Sequence, residues 1–248
     1  MFDPFGDVDT RGYLRNHEGL TELDFVRVQE HLHFTANVEE ALDYLSPQQS
    51  PAISYATFLE VHRILFSHFY PWAGVDRHSL DVGRYLSKGE RVQFERSDLS
   101  QRAIEWGLRM AADAKIMRRK PGTVMGSFAW GHPFLDGNGR TMLLVHSELC
   151  ARAGFAINWL ASPKNAYLEA LTNELAMPDK GILDNYFEPL ICAIPPAADR
   201  LDRILSIHGL DGAAGIDLNI AYRGDDPAGP VKYAEMKQRR DASLDRSD

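Results

Sequence analysis

The 248-residue sequence contains only two cysteines, Cys150 and Cys192, which lie far apart and follow no paired spacing. This excludes a disulfide framework and a zinc site built on cysteine pairs. No stretch approaches the ~20 apolar residues that a membrane span requires. The N-terminus, MFDPFGDVDT, has neither the basic region nor the apolar run of a secretory signal. We therefore expect a cytoplasmic protein without a membrane partner, and export as an effector is the alternative.

An excess of positive charge is absent as well. Asp and Glu together number 35 against 27 Lys and Arg, which makes the formal net charge -8. A general nucleic-acid binder depends on Lys and Arg to neutralise phosphates, so the acidic excess argues against a nucleic-acid partner. The length fits one core of ordinary size with a short appendage.

Strand-like alternation is scarce, whereas apolar residues recur at helical spacing between capping and breaking residues, which predicts a mainly α fold. Apolar residues on both sides of the stretch 83–89 predict one β-hairpin or flap. We expect residues 1–50 to form a helical segment packed on the core and residues 196–222 to form a helical extension. Charges dominate from residue 223 onward, which predicts a disordered tail over 223–248. The tryptophans are assigned to the core: Trp72, Trp106, Trp130 and Trp159.

One segment, GHPFLDGNGR at 131–140, combines an ionisable base, a carboxylate, two glycines, an amide and a guanidinium at the start of a predicted helix. The free N–H groups and positive dipole end of a helix start attract anions, so the backbone amides of Gly137, Asn138 and Gly139 are candidates to surround phosphate oxygens. Arg140 adds a bidentate charged clamp. The segment therefore predicts a phosphate-binding loop.

Two further residues of this loop predict chemistry. Asp136 supplies a hard oxygen ligand, which suits Mg²⁺ held by one carboxylate and by substrate phosphates. His132, with an ordinary pKa of ~6.5, can take a proton near neutral pH from a hydroxyl group that attacks a phosphorus atom. The combination predicts phosphoryl or nucleotidyl transfer without a covalent enzyme intermediate.

The segment resembles the signature loop of the Fic family, which reads His, any residue, Phe, any residue, Asp or Glu, Gly, Asn, Gly, Arg. Every fixed position matches. The resemblance extends to YPWAG at 70–74 with Arg77 and to the flap segment around Lys88 and Gly89, and it covers roughly residues 10–195. It implies a Fic-type helical bundle with a small β-hairpin flap and a catalytic domain over 51–195.

The resemblance also implies roles. His132 is the base, Asp136 holds Mg²⁺, the turn 137–140 binds the α and β phosphates of ATP, and Phe134 anchors the loop in the core. The flap, near 84–92, pairs with an extended segment of the target protein by strand addition. Lys88 and Gly89 are therefore the candidates for nucleotide contact or target docking.

One departure from the family pattern concerns the second arginine, three residues after the first, which grips the γ-phosphate or pairs with an inhibitory glutamate. Leu143 stands in its place. The inhibitory helix motif, Ser or Thr, three residues, Glu, then Gly or Asn, is not present intact either. The regulatory partner implied by the family is then a separate, antitoxin-like protein. Tyr167, on the helix after the motif helix, fits a place beside the adenine and a place in the core equally well.

The leading hypothesis is a protein adenylyltransferase that transfers AMP from Mg-ATP to a hydroxyl side chain of a target protein. Because Leu143 leaves the donor's orientation open, transfer of a phosphate or another phosphate-containing group is the first alternative. The second is a catalytically weak nucleotide-binding module. A binding-only loop has no need of His132 as a base, which favours the enzyme.

Overall fold

The computed structural model describes residues 14–88, 92–208, 210, 220–221 and 228–244. These residues form ten α-helices: α1 (Leu23–Leu45), α2 (Tyr55–Phe66), α3 (Ser97–Ala111), α4 (Ala114–Arg119), α5 (Pro121–Gly131), α6 (Asn138–Arg152), α7 (Lys164–Ala176), α8 (Ile182–Phe187), α9 (Arg200–Leu205) and α10 (Gly229–Leu244). They also form five short strands: β1 (Ser87–Lys88), β2 (Val92–Gln93), β3 (Ala156–Ile157), β4 (Ile191–Cys192) and β5 (Ile220–Ala221). Four 3₁₀ turns complete the description: Trp159–Ala161, Pro178–Lys180, Glu188–Leu190 and Ala197–Asp199. The prediction of a mainly α fold is confirmed.

The centre of the fold is α5, in which every residue except Thr123 is buried. A helix that is apolar all round belongs in the interior of a protein. Two glycines let neighbouring helices approach it closely. A Cβ atom at Gly122 would lie 2.2 Å from the backbone nitrogen of Asp184 in α8, and one at Gly126 would lie 2.8 Å from Cγ of Glu174 in α7. The C-terminal end of α5 leads directly into the motif loop, so this packing positions the loop.

The first turn of α2 is held by a capping box. The Ser54 hydroxyl accepts the backbone N–H of Thr57 at 3.2 Å, and the Thr57 hydroxyl accepts the N–H of Ser54 at 3.1 Å. This arrangement satisfies donors that a helix start otherwise leaves unpaired. The helix then buries Phe58, His62 and Phe66 toward the motif loop.

Two small antiparallel sheets accompany the helices. In one sheet, β1 lies between β2 and β5, with Ser87 opposite both Gln93 and Ala221. In the other sheet, β3 pairs with β4. The predicted hairpin is thus present as β1 and β2. In the described part of the chain, no helix has both the length and the apolar character that a bilayer crossing requires.

The tail expected to be disordered contains the helix α10. Tyr233 and Met236 are buried, and the Arg240 guanidinium donates to the Leu175 carbonyl oxygen. These three side chains stand at positions i, i+3 and i+7, so they share one face. A polar helix therefore docks through a small number of residues, which the average composition of the segment does not reveal. The predicted tail's remaining residues, 223–227 and 245–248, and residues 1–13 of the predicted N-terminal segment lie outside the described residues.

Trp106 also differs from the expectation. Its exposed fraction is 44%, whereas the other three tryptophans are buried. The indole lies on α3, whose Gly107 makes the close contact with α5 instead, because a Cβ atom there would lie 2.9 Å from the Phe128 ring. The helix therefore turns its small residue inward and Trp106 outward.

Candidate active site

His132 ends α5 in the left-handed backbone region, with φ 42° and ψ 59°. This conformation costs a non-glycine residue on the order of 1 kcal/mol. The fully buried Arg77 holds the turn with two hydrogen bonds. Its Nε donates to the carbonyl oxygen of His132 at 2.8 Å, and its backbone N–H donates to the carbonyl oxygen of Pro133 at 2.8 Å. The same guanidinium donates to the carbonyl oxygens of Gly83 and Glu95. Arg77 therefore joins the motif loop to the base of the flap.

The imidazole of His132 stacks on Phe94, with the ring centroids 3.7 Å apart and the planes 17° from parallel. Its Nε2 is buried and has no hydrogen-bond partner among the described residues. Burial lowers the pKa of His132 well below its ordinary value, and the positive charges of Arg77 and Lys88 lower it further. The ring is therefore neutral near pH 7 and has a nitrogen able to accept a proton. The negative charge of a bound phosphate raises this pKa again.

The predicted phosphate-binding turn has the geometry of a helix start. Gly137 precedes α6 with a φ of 73°, and a Cβ atom there would lie 2.5 Å from the Phe66 ring, so only glycine fits. The first backbone hydrogen bond of α6 runs from the Thr141 N–H to the Gly137 carbonyl oxygen at 3.0 Å. The N–H groups of residues 138–140 precede it and point out of the helix start. Gly139 is exposed and has open space around it, which leaves room for an anion.

The Asn138 side chain has a task in addition to the phosphate contact predicted for its backbone N–H. Its Oδ1 accepts the Phe134 N–H at 2.9 Å, and its Nδ2 donates to the Phe134 carbonyl oxygen at 2.8 Å. Both ends of the buried amide are therefore used to close the loop. Only the backbone N–H of Asn138 is left for a phosphate. Phe134 itself is fully buried, as expected of the anchor.

Arg140 is held by an acidic residue that the motif does not contain. Its guanidinium donates to Oε1 of Glu30, from α1, and lies 4.6 Å over the Phe66 ring and 5.4 Å over the Phe34 ring. The Asp136 carboxylate is 3.6 Å away. Burial lowers the pKa of Arg140, but the charges of Glu30 and Asp136 outweigh this effect and raise it. The clamp predicted for phosphate therefore already has an anionic partner.

Glu30 is the residue of this site that the motif could not reveal. Burial raises its pKa from 4.5 to about 7, although the charge of Arg140 acts in the opposite direction. A signal for it exists in the sequence. Val26, Phe34 and Val38 stand at i−4, i+4 and i+8 from Glu30 and are buried, so the carboxyl interrupts an apolar stripe. A charge in such a stripe indicates a buried partner.

Asp136 combines a loop contact with a free carboxylate oxygen. Its Oδ1 accepts the Gly137 N–H at 2.6 Å, and 40% of its side chain is exposed. No cluster of three or more metal-ligating side chains exists in the described part of the chain. The residues therefore fit Mg²⁺ held by one carboxylate and by the phosphates of a substrate, and not by a protein cage.

His62, in α2, supports the motif loop through a hydrogen bond and a ring contact. Its Nδ1 accepts the Gly74 N–H at 2.8 Å, so its Nε2 carries the proton that is donated to the Asp136 carbonyl oxygen at 3.0 Å. The ring stacks on Phe134 with a centroid distance of 3.7 Å. Burial lowers the pKa of His62 to about 3. The residue is a neutral bridge between the segment 70–74 and the motif loop.

The flap brings Lys88 near the base, since its charge acts on the pKa of His132. Gly89, the second predicted docking residue, lies outside the described residues. The second edge of β1 is paired with β5, so it is not open for strand addition. A target segment that docks by strand addition needs another edge of the flap or has to displace β5.

The structure locates two residues whose surroundings the sequence left open. Leu143 is buried, with 6% of its surface exposed, and belongs to the hydrophobic core. Tyr167 packs edge-on against Trp159 at 5.1 Å between centroids and parallel to Phe187 at 6.1 Å. Leu143 is therefore a core residue, and Tyr167 is a partly buried residue packed against the core.

The family resemblance is confirmed by comparison with known proteins. The Fic/DOC family model matches residues 52–150, a narrower range than the motifs suggested. Residues 52–150 of the chain thus match the Fic domain.

Two curated proteins match part of this chain. Protein adenylyltransferase VbhT of Bartonella schoenbuchensis is 35% identical over 104 residues, which are 40% of this chain and 21% of that protein. Protein adenylyltransferase Fic of Nematostella vectensis is 29% identical over 130 residues, which are 48% of this chain and 28% of that protein. This chain therefore spans between a fifth and three tenths of the length of these relatives.

Solved structures show the same fold at low identity. BepC of Bartonella tribocorum with bound AMPPNP has a TM-score of 0.58 and 17% identity, over 75% of this chain and 95% of that one. The N-terminal Fic domain of a Bartonella quintana effector with bound ADP has a TM-score of 0.60 and 21% identity, over 74% of this chain and 92% of that one. The Fic-type helical fold is thereby established.

Proposed function

We propose that this protein transfers AMP from Mg-ATP to a hydroxyl side chain of a target protein. The observation that carries the proposal is the state of His132: a neutral imidazole whose buried Nε2 has no partner among the described residues, in the loop that leads to the N–H groups at the start of α6. An unpaired buried nitrogen is costly for stability, which favours a role in accepting a proton from a substrate.

The chemistry follows from this arrangement. A target hydroxyl attacks the α-phosphorus of ATP, and His132 takes the hydroxyl proton as the new oxygen–phosphorus bond forms. The bond from the α-phosphorus to the bridging oxygen breaks, and pyrophosphate leaves. The N–H groups of residues 138–140 and the Arg140 guanidinium bind phosphate oxygens. Mg²⁺ bound at Asp136 would neutralise phosphate charge.

The relatives and neighbours support the nucleotide. Two curated relatives are named protein adenylyltransferases. Two of the structural neighbours hold AMPPNP and ADP. We further propose that residues 51–195 form the catalytic domain, with the helical segments on either side packed against it. The two cysteines, Cys150 and Cys192, are free, which fits folding in the cytoplasm before any export. A separate inhibitory protein stays a prediction.

Two rival functions have specific observations behind them. The aliphatic, buried Leu143 leaves the γ-phosphate without the family's second arginine, which favours a donor bound in another orientation and transfer of a different phosphate-containing group. The ion pair of Arg140 with Glu30 favours a weak nucleotide-binding module. The intact base His132 is the reason to place AMP transfer first.

The experiment is intact-mass analysis of proteins from a cell lysate after incubation with the protein, Mg²⁺ and ATP labelled separately at the α and γ positions. AMP transfer retains only the α label and adds the mass of AMP to a target. Retention of the γ label alone would establish phosphate transfer instead. The His132→Ala variant serves as the control, and labelling by that variant equal to the wild type would contradict the mechanism.

A further inference from the structure

A cavity of about 550 Å³ lies between α3, α5, α7 and α10. None of its lining residues belongs to the motif loop 132–140. Its size is within the ~300–1,000 Å³ typical of small-molecule sites. One side of α5 forms a wall through residues at i, i+3, i+4 and i+7, from Thr123 to Trp130, and α3 forms the opposite wall in the same way, from Leu99 to Trp106.

The floor of this cavity contains a buried carboxyl group with an unused acceptor. Glu174 has 1% of its surface exposed, and its Oε2 accepts the Leu183 N–H at 3.0 Å. Its Oε1 has no hydrogen-bond partner among the described residues. Burial raises the pKa of Glu174 to about 7, against the opposing hydrogen bond from Leu183. Buried polar atoms are paired in the great majority of cases, so Oε1 indicates a donor that a ligand supplies.

The mouth of the cavity combines an exposed aromatic ring with two cations. Trp106 is 44% exposed, and Arg102 and Arg109 lie one turn before and one turn after it on the same face of α3. Neither arginine has an ion pair or hydrogen bond within the described residues. The other cations are engaged, because Lys237 pairs with Asp241 at 3.1 Å and Arg240, from α10, lies over the Trp130 ring at 4.1 Å.

We propose that this cavity binds a small aromatic molecule with an N–H donor at one end and a carboxylate at the other. The N–H donates to Oε1 of Glu174, and the ring lies beside Trp106. The carboxylate binds the guanidinium group of Arg102 or of Arg109, either of which suits bidentate contact. These arginines are ~10 Å apart along the axis of α3, so a carboxylate on a short side chain reaches at least one of them.

Three probes separate the two polar contacts. Indole-3-acetate has both the N–H and the carboxylate, 1-naphthylacetate lacks the N–H, and indole lacks the carboxylate. Isothermal titration of the wild-type protein should give saturable one-to-one binding of indole-3-acetate. Each of the other probes should bind about tenfold more weakly or worse, a difference of ~1.4 kcal/mol. No saturable binding of indole-3-acetate, or equal binding of all three probes, would overturn the proposal.

The variant Glu174→Gln tests the floor. The side-chain oxygen of the introduced glutamine can keep the hydrogen bond from the Leu183 N–H, while its NH₂ group places a donor where Oε1 was. The affinity for indole-3-acetate should therefore fall about tenfold. The affinity for 1-naphthylacetate should not change, because this probe has no N–H. Glu169→Gln, an exposed position of the same helix outside the cavity, is the matched control. Equal affinity of Glu174→Gln and wild type for indole-3-acetate would refute the contact.

The variant Arg102→Gln combined with Arg109→Gln tests the mouth. The two acids should lose affinity, and indole should not. Both substituted positions are exposed, so melting of these variants should match the wild type. Unchanged affinity for both acids would overturn the assignment of the mouth. Because binding is measured without any nucleotide, a failure here is separate from a failure of the proposed transfer reaction.

Discussion

Replacing Glu30 by Gln should strengthen nucleotide binding, because Arg140 is then released from an anionic competitor. In the structure, Glu30 and Arg140 form a buried ion pair, with 10% and 19% of their side chains exposed. A phosphate oxygen has to displace the Glu30 carboxylate to reach the guanidinium. A hydrogen bond to a charged group contributes ~1.5–3 kcal/mol, so the variant should bind ATP roughly 10- to 100-fold more tightly.

The same change should affect stability less than the loss of a buried partner usually does. Removing one member of a buried ion pair typically costs ~3–5 kcal/mol. Here Arg140 keeps the Asp136 carboxylate at 3.6 Å and the rings of Phe66 and Phe34 beneath it. The variant also no longer has to bury the Glu30 charge. We therefore expect a modest fall in the melting temperature without nucleotide, reversed when ATP is added.

The pH dependence follows from the pKa of Glu30, which is raised from 4.5 to about 7. The folded state holds the proton more tightly than the unfolded state, so the contribution of Glu30 to stability falls as the pH rises from about 4.5 to about 7. Above pH 7 the carboxylate is ionised and competes for Arg140, whereas below pH 7 it is increasingly neutral. The affinity ratio of Glu30→Gln to wild type should therefore be large at pH 8 and shrink at pH 6.

The assay is titration of ATP in Mg²⁺ at both pH values for the wild type, Glu30→Gln and Glu39→Gln. Glu39 is an exposed residue of the same helix and provides the charge-matched control. The ionisation of ATP itself cancels in the ratio of variant to wild type. Equal affinities of Glu30→Gln and wild type at pH 8 would refute the competition between Glu30 and phosphate.

Three further changes test the motif loop. His132→Ala should reduce AMP transfer by ~10²- to 10⁴-fold with nearly unchanged ATP affinity, and single-turnover intact-mass analysis with ATP titration checks both parts. Asp136→Ala should weaken ATP binding in Mg²⁺ but not in its absence, and an unchanged titration in Mg²⁺ would leave only its contact with Gly137. Leu143→Arg should destabilise the fold by roughly 1–3 kcal/mol from overpacking alone, which thermal melting beside Leu143→Met measures. A stable Leu143→Arg variant with tighter ATP binding would show that this helix face opens toward the phosphates.

The local pattern of the chain was enough to predict the helical class, the hairpin and the motif loop. Helical spacing of apolar residues depends only on neighbours in sequence. The residues 132–140 are contiguous, so their chemistry could be recognised without knowing what surrounds them.

The tertiary structure decided what the loop residues contact. The buried Arg77 reaches the His132 carbonyl from 55 residues away, and Glu30 reaches Arg140 from 110 residues away. Neither distance is encoded in a local pattern, because long side chains meet only after the helices pack. The amide of Asn138 is likewise consumed by the loop itself.

The same reason explains the two composition-based expectations that differ from the structure. The helix α10 docks through a few buried residues, and Trp106 faces outward because Gly107 makes the close contact with α5. Composition averages over a segment, whereas docking depends on which few side chains meet a complementary surface. The sequence alone therefore determined the kind of loop and fold, and packing between segments distant in sequence decided the lowered pKa of His132 and the partner of Arg140.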